Sequence, residues 1–166
     1  LEQQVAALAA ELADELATKD PDVKVTAKRL ADTAETITCA APEETKRVAA
    51  FLQATPNGVQ AMSADMPGLV QTSSNLARVT AGSGEILVHC LLRSSLDSEK
   101  ADLGDRIAGV FELAGAEVAL EGGYDGWNPN PDSPILHTMI ASYESLFGRR
   151  PVVTAIHAGL ECGIIG

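Results

Sequence analysis

Val5, Leu8, Leu12 and Leu16 recur at helical spacing among Gln, Glu and Asp, which predicts an amphipathic helix ending near Lys19-Asp20-Pro21. Val23, Val25 and Ala27 then alternate with charged and polar residues and predict a strand over residues 23–30. Residues 31–41 fit either a short strand at Thr36-Ile37-Thr38-Cys39 or a loop. Pro42-Glu43-Glu44 opens a second helix, with proline in the first turn and acids facing the positive end of the dipole. Val48, Phe51 and Leu52 form its apolar stripe, and Thr55-Pro56-Asn57-Gly58 stops it.

Residues 59–68 are read as a short connection punctuated by Pro67-Gly68. Residues 69–80 and 85–93 read as two strands joined by Ala81-Gly82-Ser83-Gly84, a β-hairpin with a glycine-rich turn. The glycines precede a strand and not a helix, so they do not form a phosphate loop. In the second strand Ile86, Val88, Cys90 and Leu92 share one face; Leu87, His89, Leu91 and Arg93 share the other. Ser94-Ser95-Leu96-Asp97 offers caps for a helix with the stripe Leu103, Ile107, Val110, Phe111 and Ala114, closed by Gly115. Val118 and Leu120 predict another strand. A loop rich in Gly, Pro and Asn follows and holds Trp127. Pro134 starts a helix with Leu136, Met139, Ile140, Tyr143 and Phe147 inward, and residues 152–156 predict a last strand.

From residue 23 to residue 120 the predicted order is strand, helix, strand, strand, helix, strand. That is an α+β, ferredoxin-like arrangement, an antiparallel sheet with helices on one face, plus an additional helix and strand. Such a sheet leaves its other face or an edge for a partner.

Length and charge narrow the function classes. The 166 residues suit one domain with an appendage, and 46% hydrophobic residues is ordinary for a globular chain. A formal net charge of −11 argues against nucleic acid as a partner, and no Lys/Arg cluster suggests a membrane surface. No stretch approaches the ~20 apolar residues of a membrane span, so a soluble chain is expected. Cys39, Cys90 and Cys162 are odd in number and widely spaced; reduced thiols in a cytoplasmic protein are expected, with no zinc spacing among them.

The segment Ile156-His157-Ala158-Gly159-Leu160-Glu161-Cys162-Gly163 places titratable residues at the end of an apolar run, as functional sites often do. The chain begins at Leu1 without a methionine and stops soon after this segment, so it is expected to be one piece of a larger protein. His157 and Glu161 are four apart and would meet only on a helical turn, and two such ligands fall short of a zinc site. A histidine bonded to backbone at a strand end and a glutamate in a helix first turn are the plainer readings. Cys162 reads as a buried small hydrophobe. Tyr124 and Trp127 read as anchors of their loop to the core. Arg93 reads either as a surface ion pair or as a ligand-binding group, His89 as a partly buried histidine, and Asn75 as a cap or pair at the strand's polar edge.

Six stretches occur in register: Ala54-Thr55-Pro56-Asn57-Gly58-Val59; Thr72-Ser73-Ser74-Asn75-Leu76; Val88-His89-Cys90-Leu91-Leu92-Arg93-Ser94-Ser95; Gly123-Tyr124-Asp125-Gly126-Trp127; Asp132-Ser133-Pro134; and the His157 segment. Together they resemble the aminoacyl-histidine dipeptidases, enzymes of the di-zinc carboxypeptidase/aminoacylase group that cleave Xaa-His and β-alanyl-histidine dipeptides. The resemblance implies a metallopeptidase, a hydrolase of peptide bonds, with two zinc ions in a catalytic domain and an inserted lid domain. It implies that residues 1–121 are the second part of the lid, and that residues 122–166 are a loop, helix and strand returning to the catalytic domain. The family's zinc ligands and carbonyl-polarising lid histidine lie upstream or downstream, so no metal ligand or catalytic residue is expected here. The resemblance places Arg93 on the arginine that binds the substrate's terminal carboxylate, and Gly159 on the glycine that lines the pocket. His157, Glu161 and Asn75 are further candidates for the lining. Asp125 departs from the proline often found at its position, which puts a role for Trp127 in doubt. The implied partners are a dipeptide and the remainder of the same polypeptide, and a free sheet edge or face could also serve a homodimer. A segment of this kind is expected to be inactive by itself. A non-catalytic dimerisation module, or a ferredoxin-like small-molecule-binding domain, is the alternative.

Overall fold

The computed structural model describes residues 1–28 and 39–158, in two compact units divided between Cys39 and Ala40. The first unit contributes α1 (Glu2–Glu15), whose Val5 and Leu12 stripe is half-buried, as its periodicity predicts. Residues 23–28 carry no strand ladder, and the rest of the strand expected over 23–30 lies outside the described residues, as does most of 31–41. Alternation marks two faces, but a strand exists only where its N–H and C=O groups meet a partner.

The second unit is an α+β layer. Helix α2 (Pro42–Ala54) starts at proline with Glu43 and Glu44 in its first turn, and Thr55 closes it by bonding its hydroxyl to the Phe51 carbonyl at 2.7 Å. A meander follows: β1 (Gly58–Met62), β2 (Val70–Gly82) and β3 (Glu85–Ser94), antiparallel and in the order β1-β2-β3. β1 stands where a connection was expected. Its five residues sit between Asn57-Gly58 and Pro67-Gly68, and these turn signals outweigh the weak Val59/Ala61 alternation. The hairpin turn is as expected: Ser83 and Gly84 both have left-handed backbone (φ 53° and 82°), the signature of a two-residue type I′ turn.

Helix α3 (Asp97–Leu113) lies across the sheet, and its Leu103, Ile107 and Phe111 form the core with Val88, Cys90 and Leu92 of β3. Phe51 of α2 joins the same core, its ring centroid 5.2 Å from that of Phe111. Both helices thus serve one sheet face, as the apolar pattern predicts. Burial pushes the Cys90 thiol up.

Val118 and Leu120 are not in a ladder; Leu120 instead reaches the seam between Gly104 of α3 and Leu92 of β3. Helix α4 (Pro134–Phe147) has Pro134 in its first turn and Gly148 after it at φ 66°, both as expected. Its stripe is only half covered: Leu136, Ile140 and Tyr143 are half-buried. Met139 and Phe147 are exposed, and no described element packs on the helix. Residues 152–156 likewise carry no ladder, and Val152 is 93% exposed. Both segments keep their apolar pattern, and among the described residues no helix or strand packs on α4. No helix of the described residues is long and apolar enough to cross a membrane.

Candidate functional site

The site begins with strand register. β2 and β3 pair so that Ser73 faces Arg93 and Asn75 faces Leu91. The neighbouring pairs Ser74/Leu92 and Leu76/Cys90 point to the core side. Alternation therefore sends Ser73, Asn75, Leu91 and Arg93 to the face opposite α3. Cβ atoms of directly opposed residues lie ~4.5–5.5 Å apart, and Asn75 and Arg93 are diagonal neighbours at ~7–8 Å. Beyond Leu76 a bulge at Ala77 shifts the register, and His89 then pairs with Arg78. His89 is exposed, not partly buried as expected.

His157 comes to this face from the far end of the chain. Its Nε2 lies 2.7 Å from the Ser73 hydroxyl. Burial, and then the Arg93 guanidinium beside it, hold the imidazole below its ordinary pKa; a backbone bond to Val70 works the other way. Either protonation pattern satisfies the Ser73 bond: a bare Nε2 accepts from the hydroxyl, and a protonated Nε2 donates to it. Arg93 is exposed near the strand end, and among the described residues no carboxylate lies within 4.0 Å of it. The surface ion pair considered for it is therefore not formed by any described residue.

The strand end that carries Arg93 is tied to α3 by a chain of hydroxyls. The Leu96 N–H donates to Ser94 Oγ at 3.1 Å, Ser94 and Thr72 share a 2.7 Å bond, and Thr72 donates to the Glu99 carboxylate. Gln71 Nε2 donates to the other Glu99 oxygen at 2.8 Å. These bonds, Thr72 first and Gln71 second, hold the Glu99 carboxyl below the usual carboxylate range.

A second tie fixes the loop after residue 121. The Gly126 N–H donates to Asp97 Oδ1 at 2.9 Å, and Lys100, paired with Asp97 at 2.6 Å, donates to the Tyr124 carbonyl. Gly126 must be glycine: a Cβ there would lie 2.6 Å from the Ser95 carbonyl oxygen. The loop is anchored through its backbone, and the side chains of Tyr124 and Trp127 are about half exposed (53% and 50%). The core anchoring expected of these two side chains is therefore not what holds the loop. They stand with Lys100, Arg93 and His157 around a cavity of about 820 Å³.

Of the residues singled out from sequence, the structure brings Arg93 and His157 together, with Asn75 exposed on the same face. Gly159, Glu161 and Cys162 lie outside the described residues, so a His157–Glu161 pair does too. Sequence reasoning missed Ser73, whose signal was the run Thr72-Ser73-Ser74-Asn75 inside a strand: alternate members must face opposite sides. It also missed the Asp97–Lys100–Gly126 tie, which leaves no mark on spacing. Among the described residues no group of three His, Cys, Asp or Glu side chains could hold a metal ion.

No family model matches the chain. It is 41% identical over 114 residues to the cytosol non-specific dipeptidase of Escherichia coli (strain K12), an alignment covering 69% of this chain and 24% of that protein. The crystal structure of aminoacylhistidine dipeptidase from Vibrio alginolyticus superposes with a TM-score of 0.84 at 35% identity, covering 98% of this chain and 34% of that one. The chain spans about a quarter of the length of the one and a third of the other. Both relatives are dipeptidases, and the resemblance carried by the six motifs holds for nearly the whole chain.

Proposed function

We propose that this chain is the lid segment of a cytoplasmic, zinc-dependent dipeptidase acting on Xaa-His and β-alanyl-histidine dipeptides, and that it supplies the grip on the substrate's terminal carboxylate. Residues 1–121 would belong to the lid and residues 122–166 to the return into the catalytic domain. One observation supports the reading above others: Arg93 stands without a carboxylate partner among the described residues, on an open sheet face beside Ser73 and His157. A guanidinium offers two parallel N–H groups, and the group that fits them is a carboxylate. Gly159 would line the same pocket, with Asn75 and Glu161 nearby. The two zinc ions would be held by residues outside this chain, and nothing assigned to Arg93 depends on their geometry.

The test compares a dipeptide with its C-terminal amide, using the complete polypeptide that carries this segment. Losing a charge-assisted bond costs about 1.5–3 kcal/mol, or roughly 10–100-fold in affinity. Arg93→Met should raise KM for β-alanyl-histidine by that order and leave the affinity for β-alanyl-histidinamide nearly unchanged. An equal loss for both ligands would refute the carboxylate role. The segment by itself should hydrolyse neither; zinc-dependent turnover by these residues alone would refute the division of labour.

A second reading has its own support. The exposed Met139, Leu146 and Phe147 of α4 and the unpaired residues 152–156 suit an interaction surface, against the catalytic domain or a second copy. Sedimentation of the chain at rising concentration separates the two covers, because a strict monomer excludes the second copy.

A further inference from the structure

Arg93 can hold a carboxylate by itself, yet the chain places a hydroxyl and an imidazole directly beside it. We propose that Ser73 is a second donor to the substrate's terminal carboxylate, and that His157 is a positioning residue that sets which way the Ser73 hydroxyl points. The inference rests on the carboxylate-binding reading of Arg93.

Geometry carries the argument. Ser73 and Arg93 are register partners on one face, so a carboxylate in the guanidinium fork lies within reach of the Ser73 hydroxyl. In the neutral His157 ring with a bare Nε2, that hydroxyl donates to it across the observed 2.7 Å. Ser73 then presents only lone pairs outward, which repel an anion. Uptake of one solvent proton at Nε2 reverses the bond. The imidazolium donates to Ser73 Oγ, and the hydroxyl proton turns to the carboxylate. No covalent bond between heavy atoms changes, and one proton enters for each carboxylate bound. Arg93 of β3 is the charged group that disfavours the imidazolium, while β2 contributes only the uncharged Ser73 and the Val70 backbone. A bound carboxylate cancels the Arg93 charge and so makes protonation easier. Carboxylate binding and proton uptake are therefore linked, each favouring the other.

The experiment measures affinities of the complete polypeptide for β-alanyl-histidine and β-alanyl-histidinamide between pH 5.5 and 8. Each affinity is corrected for the separately measured titration of that ligand's own imidazole, since amidation removes a nearby carboxylate charge and shifts it. In the unaltered protein the preference for the acid should grow as pH falls, approaching tenfold per pH unit where His157 takes up its proton. Ser73→Ala and His157→Gln should each lower the preference several-fold and flatten its pH dependence. Variants that keep the unaltered preference and slope, while Arg93→Met loses the preference, would overturn this inference and leave the proposed function standing. An Arg93→Met protein with an undiminished preference would overturn both. Should either variant fail to fold, the His157 ring can be titrated by NMR in the unaltered protein. A pKa raised by the dipeptide and not by the amide supports the linkage, and an unmoved pKa overturns it.

Discussion

Helices α3 and α4 face opposite fates. Helix α3 alternates charge with a narrow apolar stripe, and that stripe is sealed: Leu103 is 1% exposed. Helix α4 carries a single carboxylate, Glu144, among far more apolar residues, yet buries none of them; Leu146 is 77% exposed. The better-buried helix is the more polar one. Periodicity therefore announces that a face needs a cover, and the neighbours decide whether it has one. For α3 the neighbours are β2 and β3, joined by a two-residue turn and close in sequence. For α4 no described element serves.

Leu103→Ala probes that contrast most strongly. It removes a fully enclosed side chain and should cost about 2–5 kcal/mol of unfolding free energy. Met139→Ala, on the bare face of α4, should stay within about 0.5 kcal/mol. Urea unfolding of the chain measures both. Comparable losses would mean that α4 is covered after all. A Met139 loss that grows in the complete polypeptide would show where the cover comes from.

A smaller effect is expected at the tie between α3 and the loop after residue 121. Gly126→Ala drives a methyl into the Ser95 carbonyl and should cost about 1–3 kcal/mol, or displace the loop. Gly104→Ala is the control within α3 itself. Its new methyl would meet Leu120 and Leu92 at 3.8–3.9 Å, ordinary contact, and alanine gains up to about 1 kcal/mol of helix propensity. One glycine is required by a neighbouring backbone and the other is not. If both substitutions destabilise equally, the close approach at Ser95 is not the reason.

The contrast between α3 and α4 also explains how much was legible beforehand. The helices, the hairpin and the inner face Val88-Cys90-Leu92 followed from periodicity, caps and turn residues, all local signals. The strands expected at 23–30, 118–120 and 152–156 have the alternation but no ladder among the described residues, because pairing is a property of two segments. β1 was missed for the converse reason: its partner β2 makes it a strand although its own five residues hardly argue for one. At the site, Arg93 and His157 were visible as chemistry in suggestive places. Their meeting beside Ser73, which lies eighty-four positions before His157, was not, since register and chain path decide it.

The last and smallest effect concerns the hydroxyl chain that joins α3 to the strand end bearing Arg93. Thr72 is buried at 3% exposure, and its hydroxyl both meets Ser94 and donates to Glu99. Thr72→Val keeps the shape and removes the link, which should cost about 1 kcal/mol at neutral pH. The sign with pH follows from Glu99. Its carboxyl is held below the ordinary range in the folded chain, so the unfolded chain binds the proton more readily. Stability from this group is complete above the ordinary carboxylate pKa, and it drains away as pH falls from there through the lowered folded value. In Thr72→Val the largest cause of the lowering is gone, and the acid slope should flatten even though neutral stability is also reduced. Unfolding curves at pH 3–7 for the two proteins test this. Parallel slopes would show that Thr72 packs against Glu99 without holding its charge, and α3 would then grip the Arg93 strand through its apolar stripe alone.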